Sequence, residues 1–403
     1  MLRNALMVSL SALVCALIAQ PARLAAQPTS VPLLRGLNPA MISATPFSKG
    51  DFVLSWNNDT ITCNGEAVSA VEWIAPHPQL IAKKLLSFPV TIGFSVDETG
   101  RAVDMRVLEG GYVEGELEAS FDTEAKTMRI DTKRFVARLA VRDLMPSLRA
   151  SRFVEGARRS ECRVVYSTQY VETARVPRDT LAILGVVPRM SLNTALRDQL
   201  GGGDCSTVGW PAPLFRGFPD FRKVSARDGA RKWSWVRFDI DENGTPANVN
   251  VIFSSGDADL DAQSLLAFRD NRFAGGPRTG CVAAWWRNPG VIPAPPVPED
   301  SDFPDFRSCD KLRSWNKKPK LTYPQAYNER AIEGWAVLGF DIAADGTVGN
   351  VRVLSAQPSE EFGEVGAAVL RSGRFEAGDA AVTQCVERVR FVTPKDAAAT
   401  SDS

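Results

Sequence analysis

A chain of 403 residues has room for two to four cores of ordinary domain size, and an apolar content of 44% places it among globular proteins. Its 47 basic residues are matched by 47 acidic ones. That balance excludes an overall basic field drawing in nucleic acid or an anionic membrane, so partners are recognised locally.

Arg3 precedes an apolar run from Ala5 to Ala19, closed by Pro21 and followed by Ala25 and Ala26. This pattern reads as a secretory leader over 1–26, cut after Ala26. A retained anchor is the rival, but the run falls short of the roughly 20 apolar residues that span a bilayer. Cys15 follows Val14 where lipidation needs a small residue, so no lipoprotein site is expected.

The first domain is expected over 50–172. Val90 to Val96 alternates up to Thr99-Gly100, after which Val103, Met105 and Val107 alternate, which predicts a hairpin. Its last strand runs from Cys162 to Val171. His77, the single histidine, lies between Pro76 and Pro78 with no nucleophile identifiable beside it, and is read as a surface or capping residue. The linker 173–203 carries Leu181, Leu184, Leu192 and Leu196 at helical spacing, long enough to dock between the first two domains. Gly201-Gly202-Gly203 lacks the lysine and hydroxyl residue of a phosphate-binding loop and reads as a flexible link.

The second domain, 204–288, repeats the order. Trp235 to Asp241 meets Asn243-Gly244, then come Val249, Val251 and Phe253, a helix with Leu260, Leu265, Ala267 and Phe268, and a strand from Cys281 to Trp286. Asp239-x-Asp241-x-Asn243-Gly244 imitates a calcium loop, but its twelfth position is Asn250, so it reads as a turn. Trp285 and Trp286 point to opposite faces of their strand, and both are expected to pack. The proline-rich linker 289–304 reads as stiff and extended, with the third domain hanging on it.

The third domain, 305–393, has Val337 to Ile342, then Asp345-Gly346, then Val351 and Val353. A helix capped by Ser359 carries Phe362, Val365, Val369 and Leu370, and a last strand runs from Cys385 to Val392. The tail 394–403 reads as disordered.

One phrase closes each unit: an apolar residue, R-x-x-R-F-x-x-G, then a cysteine. It occurs as Leu148-Arg149, Arg152-Phe153, Gly156; as Phe268-Arg269, Arg272-Phe273, Gly276; and as Leu370-Arg371, Arg374-Phe375, Gly378. Recurrence at fixed internal spacing implies three related domains. The arginines suit the C-terminal end of a helix dipole, the phenylalanine plugs a core, and the glycine is expected to let the chain reverse. The fold class expected is α+β: three tandem small domains, each a three-stranded antiparallel sheet with helices on one face, entered by a short leading helix. Cys63 with Cys162, Cys205 with Cys281 and Cys309 with Cys385 fall one pair per copy, and are read as disulfides. Each would constrain the unfolded chain by about 4–5 kcal/mol. No C-x-x-C occurs, and no metal, cofactor or catalytic group is expected.

In the third copy, Tyr323-Pro324 with Ala326, Glu333-Gly334, Asp345-Gly346, Asn350-Val351, Leu354-Ser355-Ala356 with Pro358, Arg374-Phe375 and Gly378 together resemble the TonB C-terminal domain over 320–393. The second copy keeps Phe218-Pro219, Phe238, Asp239, Asn243-Gly244, Asn248 and Arg272-Phe273. The first keeps the hairpin turn, Phe94 and Arg152-Phe153, and carries an insertion of about twenty residues between Gly110 and Ile130, which a surface loop tolerates. The resemblance implies a non-enzymatic, periplasmic protein- or peptide-binding module of a Gram-negative envelope. Such a module grips a short peptide of an envelope protein, such as an outer-membrane TonB-dependent receptor, by adding it as a strand to a sheet edge. The edge expected to bind is Val386, Glu387, Arg388, Val389, Arg390 and Phe391, whose charges either orient a peptide or guard against aggregation. The sequence departs from energy-transducing members. Its leader lacks a histidine, no long proline- and lysine-rich spacer follows, and Lys320, Leu321 and Thr322 stand where a glutamine-containing segment would contact the receptor. A membrane-anchored energy transducer is therefore the alternative, and an exported binding protein the expectation.

Overall fold

The computed structural model describes residues 52–81, 89–110, 120–122, 127–129, 141–188, 192, 194–309 and 312–393. The leader and the tail lie outside them. The described residues all fall within one compact unit, 43–403, and among them no helix is long and apolar enough to cross a membrane.

The first segment is built from Phe52–Asn58 (β1), Ile61–Cys63 (β2), Glu66–Val68 (β3), Gln79–Ile81 (β4), Val90–Val96 (β5) and Ala102–Glu109 (β6). A small hairpin of Ser120–Asp122 (β7) and Thr127–Arg129 (β8) lies inside the insertion, and Leu144–Ala150 (α1) and Arg159–Glu172 (β9) follow. β9 is 14 residues long, enough to pair with β5 on one side and with both β2 and β1 on the other. The sheet therefore has seven strands, not the three expected. The surplus comes from residues 52–81, where Asn64-Gly65 turns the short β2–β3 hairpin and β1 and β4 find their places only by long-range pairing.

The second segment contributes Arg178–Leu184 (α2), Thr194–Gly201 (α3), Asp204–Thr207 (α4), Ala212–Phe215 (β10), Lys232–Ile240 (β11), Pro246–Ser254 (β12), Ala258–Asp270 (α5), Arg272–Ala274 (β13) and Arg278–Arg287 (β14). Its main sheet has the expected three strands, ordered β12-β11-β14. Asp257 caps α5 by accepting from the Leu260 amide at 2.9 Å. The leading helix is reduced here to a 3₁₀ turn, Phe221–Lys223.

The third segment runs through Arg307–Ser308 (β15), Trp315–Lys317 (β16), Gln325–Glu329 (α6), Gly334–Ile342 (β17), Val348–Gln357 (β18), Glu360–Arg371 (α7), Arg374–Phe375 (β19) and Val382–Phe391 (β20). Its sheet has four strands, β15-β20-β17-β18, with the extra strand parallel to β20. Ser359 precedes α7 as expected, but its hydroxyl caps no helical amide and instead accepts from the buried Tyr327 hydroxyl at 2.7 Å.

The repeated phrase has the same physical role in each segment. The glycines of the hairpin turns, Gly100, Gly244 and Gly346, have φ of 72°, 75° and 85°, and each carbonyl accepts the amide of the phrase's phenylalanine. These are Phe153 at 2.8 Å and Phe273 and Phe375 at 2.9 Å. A Cβ on any of the three would collide with that phenylalanine's own carbonyl, so glycine is required both for conformation and for approach. The closing glycine of the phrase does not reverse the chain in every copy. Gly156 has positive φ, but Gly276 and Gly378 do not. They are small because Asp241 and Arg313 press against them.

Two helices, α2 and α3, lie between the first two segments. Leu181, Leu184, Leu192 and Leu196 join Val53 and Leu80 of the first segment to Trp235 of the second, and the Trp235 indole donates to the Ala182 carbonyl at 2.9 Å. Gly201 ends α3, and Gly203 lies against Thr279 and Gly280, so the glycine run is packed rather than loose. The third segment does not hang on a spacer. Tyr327, Ile332, Phe362 and Phe391 share one core with Leu148, Phe153 and Tyr166 of the first segment, and the Met105 amide donates to the Pro358 carbonyl at 3.0 Å. The proline-rich linker itself lies on the third sheet, where the Trp335 indole donates to the Pro295 carbonyl at 2.8 Å and Phe306 packs over Gly339.

At the junction sits Arg330, with 1% of its surface exposed. Its guanidinium forms a bidentate pair with Asp143 of the first segment, both bonds 2.6 Å, and donates to the carbonyls of Gly229 in the second and Ala75 in the first. The amide of His77 donates to Asp143 at 2.6 Å. Burial would raise the Asp143 carboxyl, but Arg330 and His77 hold it below the usual range. Burial, reinforced by Arg330, lowers the His77 imidazole to about 3, so His77 is neutral and its place is at this junction.

Two outcomes follow. Arg330→Met leaves Asp143 buried without its cation and is expected to cost about 3–5 kcal/mol in denaturant unfolding of the full chain. The imidazole is a base whose folded value is depressed. Between its unfolded value near 6.5 and about 3, the unfolded chain alone binds the proton. Stability therefore falls as pH drops through that window, by at most about 1.4 kcal/mol per unit. His77→Gln should flatten that part of the profile; an unchanged slope between wild type and variant would refute the assignment.

Candidate functional site at the outer edge of the last strand

β17 is buried along nearly its whole length because it is flanked on both sides and covered by α7. β20 pairs with it from Phe340↔Cys385 to Gly334↔Phe391. One side of β20 is thereby satisfied, and the other side is the edge in question.

The residues of the resembling motif brace this strand rather than line a cleft. The Tyr323 hydroxyl shares its one proton between the Ile332 carbonyl at 2.7 Å and, more weakly, that of Phe391 at 3.3 Å, tying the end of β20 to the loop after α6. Pro324 opens α6. Glu333 accepts the Thr393 amide at 3.0 Å, just beyond β20. Gly334 starts β17 where the Phe362 ring leaves no room for a Cβ. Asp345 closes its turn by accepting from Thr347 and from Arg374 at 3.1 Å, which holds its carboxyl below the usual range. Phe375 is buried, stacked between Trp315 and Phe340, and Gly378 donates to the Ala344 carbonyl at 2.8 Å.

Each disulfide ties the last strand of its segment to whatever flanks its outer side. Cys162 of β9 is bonded to Cys63 of β2, Cys281 of β14 to Cys205 of α4, and Cys385 of β20 to Cys309 just after β15. The consequences differ. In the first segment the outer side of β9 is filled by β2 and by seven residues of β1. In the second, among the described residues, no strand pairs there, and α4 flanks it, with Thr279 donating to Asp204 at 3.1 Å. In the third, β15 covers two positions, Arg307↔Cys385 and Ser308↔Val386. From Val389 to Phe391, no strand among the described residues pairs with the outer side. The candidate edge is thus divided, with Val386 covered and Val389, Arg390 and Phe391 left, among the described residues, without a strand neighbour on their outer side.

The charges of that edge are partly engaged. Arg388 donates to the Pro298 carbonyl at 3.3 Å, while Arg390 is exposed. Val386 faces the linker with Phe303 and Phe306, whereas Val389 and Phe391 face the helices.

Elsewhere the structure accounts for the other residues singled out by sequence. Asp241 accepts from the amides of Asn243 and Thr245, and Asp239 from Gly280 and Asn248, which makes that loop a turn. Among the described residues no group of acids, cysteines and histidine could hold a metal. Trp285 lies in the core against Phe218 and Phe268, and Trp286 stacks under Arg231. A cavity of about 190 Å³ beside Cys205, lined by Gly201, Gly202 and Trp210, is smaller than ordinary small-molecule sites. Sequence reasoning missed β15, because two residues carry no periodicity, and missed Arg330, because a lone arginine after a short helix carries no motif.

The model of the C-terminal region of Gram-negative bacterial TonB proteins matches residues 226–289 and 319–393. Protein TonB of Klebsiella aerogenes is 39% identical over 62 residues, which are 15% of this chain and 26% of that protein. The chain thus spans about a quarter of the length of that curated relative. With the hairpin, helix and last strand in the same order in both matched segments, residues 226–289 and 319–393 belong to the TonB C-terminal domain family.

Proposed function

We propose that this chain is a non-enzymatic binding protein of the Gram-negative envelope. In this reading it is made of three tandem copies of one domain, and the third copy takes an extended peptide of an envelope protein, such as an outer-membrane TonB-dependent receptor, onto the outer edge of β20. The observation that carries the reading is that β15 pairs only with Cys385 and Val386, and that among the described residues no strand pairs with the outer side from Val389 to Phe391. Beyond Val386 the strand continues to Phe391, pinned at its far end by Tyr323 and Glu333, so a rigid row of backbone groups stands where an added strand would pair. The first segment supports the same reading by analogy, because there β1 from its own chain lies antiparallel along the equivalent side of the last strand. The Cys309–Cys385 bond would keep β15 from spreading along the edge or leaving it. Export with removal of residues 1–26 completes the proposal.

Adjacent residues of a strand direct their amides to opposite sides. Of the full-length variants Val389→Pro and Arg390→Pro, one removes a donor from the outer side and the other a donor toward β17. A benzophenone amino acid at Val392, exposed just past the strand, is expected to crosslink in cells to an envelope protein. The outer-side proline should lower the yield about fivefold, the worth of roughly 1 kcal/mol of hydrogen bonding, without lowering the unfolding midpoint. Equal crosslinking in both variants would rule out strand addition. Mass spectrometry of the protein recovered from cells should find an N-terminus near Gln27, whereas an intact leader would favour an anchored transducer.

A further inference from the structure

The second segment displays an apolar ridge that the binding edge does not use. Within nine residues, Trp210, Leu214, Phe215 and Phe218 have 43%, 72%, 57% and 60% of their surface exposed, and Leu266 of α5 is also exposed. Singly exposed apolar residues are ordinary, but a run of this kind marks an interaction surface. It is also firmly held. The Gly217 amide donates to the buried Asn271 side chain at 2.8 Å. Phe218 packs one face on Trp285 with centroids 5.2 Å apart, and Trp210 meets Phe238 at 5.6 Å.

We propose that this ridge docks on an anionic lipid bilayer surface. Three observations choose a bilayer over a protein. All four residues of β10 are exposed although successive side chains point to opposite faces, so the strand projects with both faces open, the reverse of the concavity that holds a peptide. Its backbone is a poor template for an added strand, because Pro211 and Pro213 have no amide to donate. Its surroundings are basic: within 208–223 and 266–278 six cations, among them Arg216, Lys223 and Arg269, stand against two carboxylates, Asp220 and Asp270. Aromatic and aliphatic side chains flanked by arginine and lysine suit the headgroup boundary, where the rings bury their apolar bodies and the cations meet lipid phosphates. The chain as a whole is neutral, so the attraction is local to this face. The third segment would then present its strand edge from a protein resting on a membrane.

The test uses the full chain labelled with the environment-sensitive fluorophore NBD at Leu214→Cys or, as a control in the third segment, at Asp379→Cys, an exposed position. With vesicles of phosphatidylglycerol and phosphatidylcholine, emission from position 214 should shift to the blue and gain intensity, while position 379 stays aqueous. Vesicles of phosphatidylcholine alone should leave both unchanged. Lys223→Ala with Arg269→Ala should raise the lipid concentration needed for half the shift about 30-fold, two cations each contributing near the surface. No shift at 214 with the anionic vesicles, or the same shift at 379, would overturn the proposal. A shift at 214 produced by an acidic, apolar peptide and by no vesicle would assign the ridge to a protein partner and overturn it as well.

Discussion

The fold depends most on a single buried ion pair. Arg330 enters from the third segment, is neutralised by Asp143 of the first, and spends its remaining donors on carbonyls of the first and second. A charge with 1% exposure is tolerable only when every part of it is answered, and here the answer requires all three segments in place at once. Hydrophobic contact draws the segments together through the shared core of Leu148, Tyr166, Phe362 and Phe391. Such contact is not directional. The guanidinium fork is, and it accepts one arrangement.

Within each segment the corresponding constraint is the contact between hairpin-turn glycine and phrase phenylalanine. It closes the hairpin against the end of the helix, places the phenylalanine ring in the core and starts the path toward the cysteine. The arginines of the phrase have diverged around this constant. Of the first arginines, Arg149 is buried on Asp97 and on the Pro293 carbonyl of the linker while Arg371 donates to the Val351 carbonyl; of the second, Arg152 pairs with Glu72, Arg272 donates to nearby backbone and Arg374 closes the Asp345 turn. They support the framework locally and are not a binding set.

The three last strands form a series in which the same edge is closed, flanked and half-open. The difference lies in what flanks the outer side: β2 and β1 for β9, the short helix α4 for β14, and two residues of strand for β20. A small sheet cannot leave an edge bare without risk of aggregation. The graded cover reconciles that risk with a few residues kept open in the segment that, with the second, belongs to the TonB C-terminal domain family.

The three hairpins, the two longer helices, the repeated phrase and the cysteine partners were legible in the residues alone, because each rests on local periodicity, turn chemistry or spacing. Asn243-Gly244 and Asp345-Gly346 could be read as turns since glycine at positive φ is a property of neighbouring residues alone. Tertiary structure alone decided how many strands each sheet has, where the linker lies and how the segments meet. β15 is two residues long, β1 gains its place only by lying along β9, and the linker looked free because prolines stiffen a chain whether or not a sheet lies beneath it. Arg330 could not be distinguished among 47 basic residues. Its importance comes from Asp143, Gly229 and Ala75, which approach it only when three distant stretches fold together, and long-range pairing of that kind leaves no period in the sequence.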